Sequence, residues 1–287
     1  MTIRNPVEWV VDESKHVGQA LWSVAHPVHP GGDVSGAGQL MIRRINASDL
    51  KDAVAKGFKD LGANRTDVIF LCFLYPVLGL ILGRLASGSD MLPLLFPLAS
   101  GFALIGPLAG VGLYEISRRR ERGLDSGWRA AFGVIHSPSF GSIILLGFVL
   151  TGIFIVWLLA ANVIYLVTLG PQAPTSILSF ARDVLTTPAG WAMTILGVGV
   201  GFILALLVLT VSVVSFPLLL DRDVGVELAV RTSVRAVVTN PGTMALWGLI
   251  VASSLVIGSI PLFFGLIIVL PVLGHSTWHL YRKIVVT

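Results

Sequence analysis

Two histidines near the end of the chain have the spacing of a metal-binding pair. His275 and His279 are four residues apart, so on a helix they share one face and could ligate a metal if a third ligand came from elsewhere. Trp278, Tyr281 and Arg282 beside them are typical of the end of a membrane helix at the interface with water. A haem or metal protein associated with respiration is therefore one hypothesis, although two ligands alone lead us to expect no resident metal or cofactor.

Other catalytic patterns are missing from the sequence. No spacing of Ser, His and Asp and no pair of carboxylates suggests hydrolysis. Gly197, Gly199 and Gly201 lie in a long apolar run, without the preceding strand that a phosphate-binding loop needs. Ionisable residues are absent from the centres of the membrane spans predicted below, which argues against a proton-coupled transporter or an ion pump. We therefore predict a protein that is not an enzyme and binds no nucleic acid.

Runs without charge define the class of protein. Of 287 residues, 54% are hydrophobic and 13% are charged, about half the charged share of an ordinary soluble domain. Asp, Glu, Lys and Arg are absent from 91–114, 130–181, 184–220 and 236–281. A helix needs about 20 apolar residues to cross the hydrocarbon layer of a membrane. The sequence therefore predicts a polytopic, all-α membrane protein.

We predict a bundle of six transmembrane helices in a domain that covers residues 48–287. Their expected bounds are Val68 to Ala86, Leu92 to Tyr114, Phe140 to Leu169, Gly190 to Leu220, Thr243 to Ser259 and Pro261 to Tyr281. The preceding residues, 1–47, are polar and form a cytoplasmic tail with a candidate surface helix. The fold class predicted for residues 48–287 is an all-α membrane helical bundle.

Apolar residues recur at helical spacing before each odd-numbered span, which predicts a surface helix in each place. The three stripes are Leu50, Val54, Phe58 and Leu61; Leu124, Trp128, Phe132 and Ile135; and Val226, Val230, Val234 and Val237. Each helix also has an acid four residues before a base, the favourable order for a helical ion pair. These pairs are Asp52 and Lys56, Asp125 and Arg129, and Glu227 and Arg231. The chain thus reads as three repeats of a cytoplasmic amphipathic helix plus a transmembrane hairpin, in units of about 48–114, 124–220 and 224–281.

The stripes and the basic residues beside them predict a surface at the level of the lipid headgroups, since short helices of this kind lie flat with their apolar faces towards the lipid. A docking surface for a partner protein is the alternative. The residues expected on this surface are Phe58, Trp128, Arg129, Phe132, Val230, Arg231, Val234, Trp278, Tyr281 and Arg282. The expected partners are the lipid bilayer with its anionic headgroups and a membrane protein or second copy of the chain.

The basic residues also set the expected orientation. Eighteen of the 20 Lys and Arg residues fall on one side of the predicted bundle, and only Arg84 and Arg182 fall on the other. Cytoplasmic segments near membrane spans are enriched in Lys and Arg. We therefore expect a multi-pass protein of the bacterial inner membrane with both termini in the cytoplasm.

Two stretches of the chain resemble a known family. The first contains Arg43-Arg44-Ile45, Asp49-Leu50, Ala53, Gly57-Phe58 and Asp60, and the second is the ending Gly274-His275-Ser276-Thr277-Trp278-His279-Leu280-Tyr281-Arg282-Lys283. They are similar to a bacterial family of integral membrane proteins, domain of unknown function 2189, over most of the chain from about Arg43 onward. Some members carry the label cytochrome c oxidase subunit I, but such a core needs histidines in mid-membrane for haems and copper, and this sequence has none there. The resemblance implies a membrane protein without implying an activity.

The function predicted from these observations is that of a non-catalytic accessory, scaffold or lipid-organising component. A carrier for a neutral or lipidic substrate is an alternative, because prolines interrupt the first, second and sixth predicted spans and broken helices can hold a substrate. These prolines are Pro76, Pro93, Pro97, Pro107 and Pro271. The haem or metal protein is the other alternative.

Overall fold

The structure is a computed structural model that describes residues 40–63, 92–172, 174–261 and 263–286. The secondary structure of these residues is helical, apart from an isolated antiparallel bridge between Ile42 and Val285. The described α-helices are α1 Ala47–Ala63, α2 Leu95–Ala109, α3 Val111–Glu121, α4 Phe140–Thr168, α5 Ile177–Thr186, α6 Pro188–Ser212, α7 Ser215–Asp221, α8 Val226–Thr239, α9 Pro241–Ser259 and α10 Leu266–Ile284. A 3-10 helix, Trp128–His136, lies between α3 and α4.

Four helical segments among the described residues are long and apolar enough to cross a membrane. They are Phe96–Glu121, Phe140–Thr168, Pro188–Asp221 and Pro241–Ser259. Each overlaps one of the six predicted spans, which confirms an all-helical protein with several apolar helices. The predicted span from Val68 to Ala86 lies outside the described residues, and α10 begins five residues after the predicted Pro261. The count of six spans and the threefold repeat therefore stay predictions.

The third of these segments is interrupted at Val213 and Val214, and a side chain from another helix stabilises the break. The Ser233 hydroxyl on α8 donates a hydrogen bond to the carbonyl of Thr210 at 2.7 Å and accepts one from the N–H of Val214 at 3.2 Å. A buried backbone group without a partner costs about 1–3 kcal/mol. Ser233 therefore satisfies two groups at the break and holds α8 against it.

Most of the charged groups of the described chain lie at one end of the bundle, which we call the polar end. Here α1 packs chiefly against α10, while α10 also contacts α3, and α3 contacts the 3-10 helix and α7. The N–H of Arg43 donates to the carbonyl of Ile284 at 2.8 Å, and the N–H of Val286 donates to the carbonyl of Met41 at 3.0 Å. The first and last described segments therefore lie side by side at the polar end.

The contact between α1 and α10 is close because α1 has a glycine where the two helices cross. A Cβ atom added at Gly57 would lie 2.8 Å from the carbonyl oxygen of Val272 and would also collide with the hydroxyl of Ser276. Ala53, one turn earlier on α1, is fully buried. Small residues on α1 therefore bring its backbone against α10.

The buried faces of the polar-end helices contain part of the predicted apolar stripes together with small residues. In α1, Leu50 and Leu61 are buried as part of a face that includes Gly57, but Phe58 is 55% exposed. The buried residues of α8 are Ala229, Thr232, Ser233 and Ala236. Small side chains allow close packing on the bundle, Val226, Val230 and Val237 are partly buried against the core, and Phe58 and Val234 point outward.

The second predicted surface helix differs from its prediction in type and in length. The residues form a 3-10 helix that starts at Trp128, and Leu124 lies before it in an exposed turn. At the opposite end of the bundle, α5 is a short helix that the sequence analysis did not predict. Ser176 caps it in a capping box with Ser179, and none of its residues is buried.

Candidate functional site at the polar end

A buried hydrogen-bonded cluster joins α1, α3 and α10. Asp60 Oδ2 accepts hydrogen bonds from the Ser117 hydroxyl at 2.6 Å and from Nε2 of His279 at 2.8 Å. Its other oxygen pairs with Arg120 at 3.1 Å. The Ser117 oxygen also lies 2.8 Å from Nδ1 of His275. Because the hydroxyl proton points to Asp60, Nδ1 of His275 is the donor to Ser117.

The cluster keeps its carboxylate ionised. Burial alone raises the pKa of Asp60, but the hydrogen bonds from His279 and Ser117 and the positive charges nearby outweigh it and lower the pKa below 3.8. A charged Asp60 attracts every donor that surrounds it. The cluster therefore fastens the end of α1 to α3 and α10 at neutral pH.

The cluster has the residue types of a hydrolase but not its arrangement. Ser117 and His275 are buried, so a substrate would have no route to the hydroxyl oxygen. The hydroxyl donates to a carboxylate, whereas a serine nucleophile donates to a histidine that acts as a base. The geometry is that of a hydrogen-bonded cluster that holds helices together.

The two candidate metal-binding histidines are both engaged in this cluster. Nε2 of His279 binds Asp60, and Nδ1 of His275 binds Ser117. Within the part of the chain that the structure describes, no three His, Cys, Asp or Glu side chains converge on a common point. The i, i+4 spacing therefore places the histidines against α1 and α3. Asp60 and Ser117 are not among the site residues predicted from the sequence, although Asp60 belongs to the first stretch that carries the family resemblance.

A second polar network joins the ends of α3, α7 and α10. Arg282 contacts Glu121 at 3.2 Å and Asp221 at 3.4 Å. The Tyr281 hydroxyl donates to Asp221 at 2.9 Å, and the indole N–H of Trp278 donates to Glu121 at 3.1 Å. Trp278 and Tyr281 are each only 1% exposed. This corrects their expected place on the surface: both fill the interior of the polar end, where their polar atoms have protein partners.

The other predicted surface residues have mixed positions. Phe132 and Val234 are exposed, Val230 is half-buried against the core, and Arg282 is partly covered by its network. Arg231 is exposed and pairs with Glu227 at 2.6 Å, as its spacing predicts. The pair of Lys56 and Asp52, at 3.3 Å, is also confirmed. Trp128 and Arg129 begin the 3-10 helix, and their side chains lie outside the description.

A polar cavity of about 310 Å³ opens beside these networks. It lies between α3, the 3-10 helix with the link 137–139, and the end of α7 with the residues after it. Its lining includes Arg118, Arg119, His136, Ser139, Asp221 and Arg222. Glu115 is buried in its wall and pairs with Arg118 at 2.7 Å and with Arg119 at 2.9 Å. Arg118 is held further by the carbonyl of Leu220 at 2.7 Å.

Comparison with known proteins finds a match in the central part of the chain. Residues 95–221 match the family model of a predicted integral membrane protein, DUF2189. The matched region runs from the start of α2 to the end of α7, somewhat under half of the chain, and holds most of the cavity lining. The resemblance to DUF2189 is thus confirmed, although the two stretches that suggested it lie outside the matched residues. No curated protein and no solved structure matches the chain.

Proposed function

We propose that the protein is a non-catalytic accessory, scaffold or lipid-organising component of the bacterial inner membrane, with both termini in the cytoplasm. The proposal rests on the apolar side chains that the polar-end helices turn outward. We call these side chains the belt: Phe58 of α1, Phe132 of the 3-10 helix, and Val234 and Val238 of α8, all of them exposed. Because each of these helices is also packed on the bundle, the belt has a fixed position.

Charges beside the belt fit the headgroup layer of a membrane. Lys56 and Arg231 lie one turn or less from belt residues and pair with acids on their own helices. Long basic side chains cover apolar surface with their stems and reach lipid phosphates with their ends. A belt of this composition favours contact with lipid over contact with water.

The polar interior of the described chain has a structural role in this proposal. Asp60, Ser117 and His275 are closed to solvent, which supports a non-catalytic role for the cluster. The carbonyl of Pro97 accepts a hydrogen bond from the indole N–H of Trp157 at 2.9 Å, which joins α2 to α4.

The proposal is tested by the lipids that stay with the protein on gentle extraction. We would extract the full chain with its surrounding membrane in polymer nanodiscs and compare its lipids with those of the bulk membrane. The variant pair is Phe58→Ser with Val234→Ser. We expect the wild type to enrich anionic lipids and the double variant to lose that enrichment, since it removes apolar contact at the headgroup level.

The matched control changes two exposed leucines at the opposite end of the bundle. Leu178→Ser with Leu185→Ser alters α5 by the same kind of substitution and should leave the enrichment unchanged. A wild-type protein that extracts as a monomer with the bulk lipid composition contradicts the proposal. Equal enrichment of anionic lipids by the wild type and by the belt variant, Phe58→Ser with Val234→Ser, also contradicts it.

A further inference from the structure

The cavity at the polar end is lined by guanidinium nitrogens that have no partner among the described residues. The two terminal nitrogens of Arg119 make no hydrogen bond to the described residues, since only its Nε is engaged, by Glu115. The side chain of Arg222, also in the lining, forms no hydrogen bond and no ion pair within the described part of the chain. Arg118, by contrast, uses Nε and both terminal nitrogens on protein oxygens. Two guanidinium groups in the lining thus keep donors for a ligand.

The carboxylates that line the cavity also differ in whether they form ion pairs. Glu115 is neutralised by two arginines, and Asp221 by Arg122 at 3.1 Å and by Arg282. Asp223 is exposed at the rim and forms no ion pair with a described residue. The groups of the lining without a described partner are therefore the terminal nitrogens of Arg119, the guanidinium group of Arg222 and the carboxylate of Asp223.

The position of the cavity fixes the kind of molecule that reaches it. Lining residues Pro138 and Ser139 directly precede α4, and Leu219 and Leu220 lie at the end of the segment Pro188–Asp221. The third wall belongs to the end of Phe96–Glu121. Three candidate membrane spans therefore end at the cavity, which puts it at the depth of the lipid headgroups.

The geometry points to a binding site for a phosphate ester that carries an amine, as in the headgroup phosphoethanolamine. Arg119 and Arg222 would hold the phosphate oxygens, because guanidinium groups suit phosphate geometry and charge. Asp223 would face the ammonium group. A cavity of about 310 Å³ is at the small end of the range for ligand pockets, which suits a headgroup. This inference rests on the proposed function, since it names a lipid that the polar end would bind.

The test uses native mass spectrometry on the full-length protein in mild detergent, with phosphatidylethanolamine or phosphatidylglycerol added. Arg222→Gln should weaken binding of both lipids about tenfold, the usual effect of losing one charged hydrogen bond. Asp223→Asn should weaken only phosphatidylethanolamine, because the other headgroup has no amine. Arg182→Gln, the same change on α5 at the opposite end, should alter neither. Thermal unfolding of each variant shows that the fold is retained.

The source of the headgroup is decided by competition with free phosphoethanolamine. Displacement of the lipid by the free ester assigns the site to a soluble phosphate ester, and resistance to displacement assigns it to the membrane lipid; both support the site. The proposed site is overturned if the wild type, Arg222→Gln and Arg182→Gln bind the lipids equally well. It is also overturned if the wild type binds neither the lipids nor free phosphoethanolamine. If the belt variant keeps wild-type lipid enrichment while Arg222→Gln loses the headgroup, the proposed function fails and the site stands.

Discussion

Asp60 and His279 lie 219 positions apart in the sequence, and a hydrogen bond of 2.8 Å joins their side chains. The same carboxylate oxygen accepts the hydroxyl proton of Ser117. Three helices from distant parts of the chain therefore share one oxygen atom. Four predictions test whether such contacts hold the polar end together and how it is oriented.

The first prediction concerns acid. The pKa of Asp60 is lower in the folded protein than its ordinary value of 3.8, so the unfolded chain takes up the proton more readily. The stability from Asp60 is therefore complete above about pH 3.8 and is lost as pH falls through the lower folded value. Asp60→Asn should cost about 1–3 kcal/mol at neutral pH and should flatten the loss in acid. Thermal unfolding in detergent across this pH range measures both effects.

In Asp60→Asn, the loss of stability in acid should be reduced and not abolished, because the pKa values of Asp49 and Asp52 are lowered as well. Both carboxylates face Lys283, at 3.2 Å and 2.9 Å. Asp183→Asn on exposed α5 serves as the control and should keep the wild-type profile. An Asp60→Asn profile that is parallel to the wild type at every pH contradicts the prediction.

The second prediction concerns the crossing of α1 and α10. Gly57→Ala places a methyl group against the Val272 carbonyl oxygen, which belongs to a helix backbone and cannot rotate away. We expect a loss of about 1–3 kcal/mol, the usual cost of overpacking. Gly62→Ala on the same helix meets no atom within 4 Å and should stabilise by about 0.5–1 kcal/mol, because alanine favours helix. Equal effects of the two changes, measured by thermal unfolding, are incompatible with this packing.

The third prediction concerns the interruption between α6 and α7. Ser233→Ala leaves the Thr210 carbonyl and the Val214 N–H without their side-chain partner, and it should destabilise the protein by about 1–3 kcal/mol. Ser212 is also buried, but it donates to the carbonyl of Val208 within its own helix. Ser212→Ala should therefore cost less than Ser233→Ala. Thermal unfolding in one detergent compares the stabilities of the two variants. A greater loss for Ser212→Ala than for Ser233→Ala would contradict the role of Ser233 at the break.

The fourth prediction concerns orientation. Cys72 is the only cysteine of the chain, so Cys72→Ser gives a background for single labels. A cysteine at Leu178, 81% exposed on α5, should react with an impermeant maleimide in intact cells. A cysteine at Glu227, exposed on α8 at the polar end, should react only after the inner membrane is opened. The opposite pattern of labelling would invert the proposed topology.

The apolar helices could be predicted from the sequence because the membrane simplifies the problem. An uncharged run must form a helix that satisfies its own backbone, so Phe140 is the predicted and the observed start of α4, and Ser259 the predicted and the observed end of α9. This reasoning needs no knowledge of what the helix packs against.

The polar end could be predicted only in part, because its contacts are between distant residues. The stripe through Phe58 was correctly read as helical, but which face is buried depends on Gly57 meeting α10. The cluster around Asp60 has no local signature, since Ser117 and His279 come from other helices. Trp278 and Tyr281 were assigned to the surface because their types are common at membrane interfaces, whereas Glu121 and Asp221 draw their polar atoms inward.

The packing of α1 on α10 sets the order of events during synthesis. α1 leaves the ribosome early, yet α10, its chief partner, is the last described helix to be made. At usual translation rates of about 5–20 residues per second, the roughly 200 residues between them take about 10–40 s. During that interval Asp60 lacks its hydrogen bond from His279. The polar end can therefore be completed only after every described helix has been made.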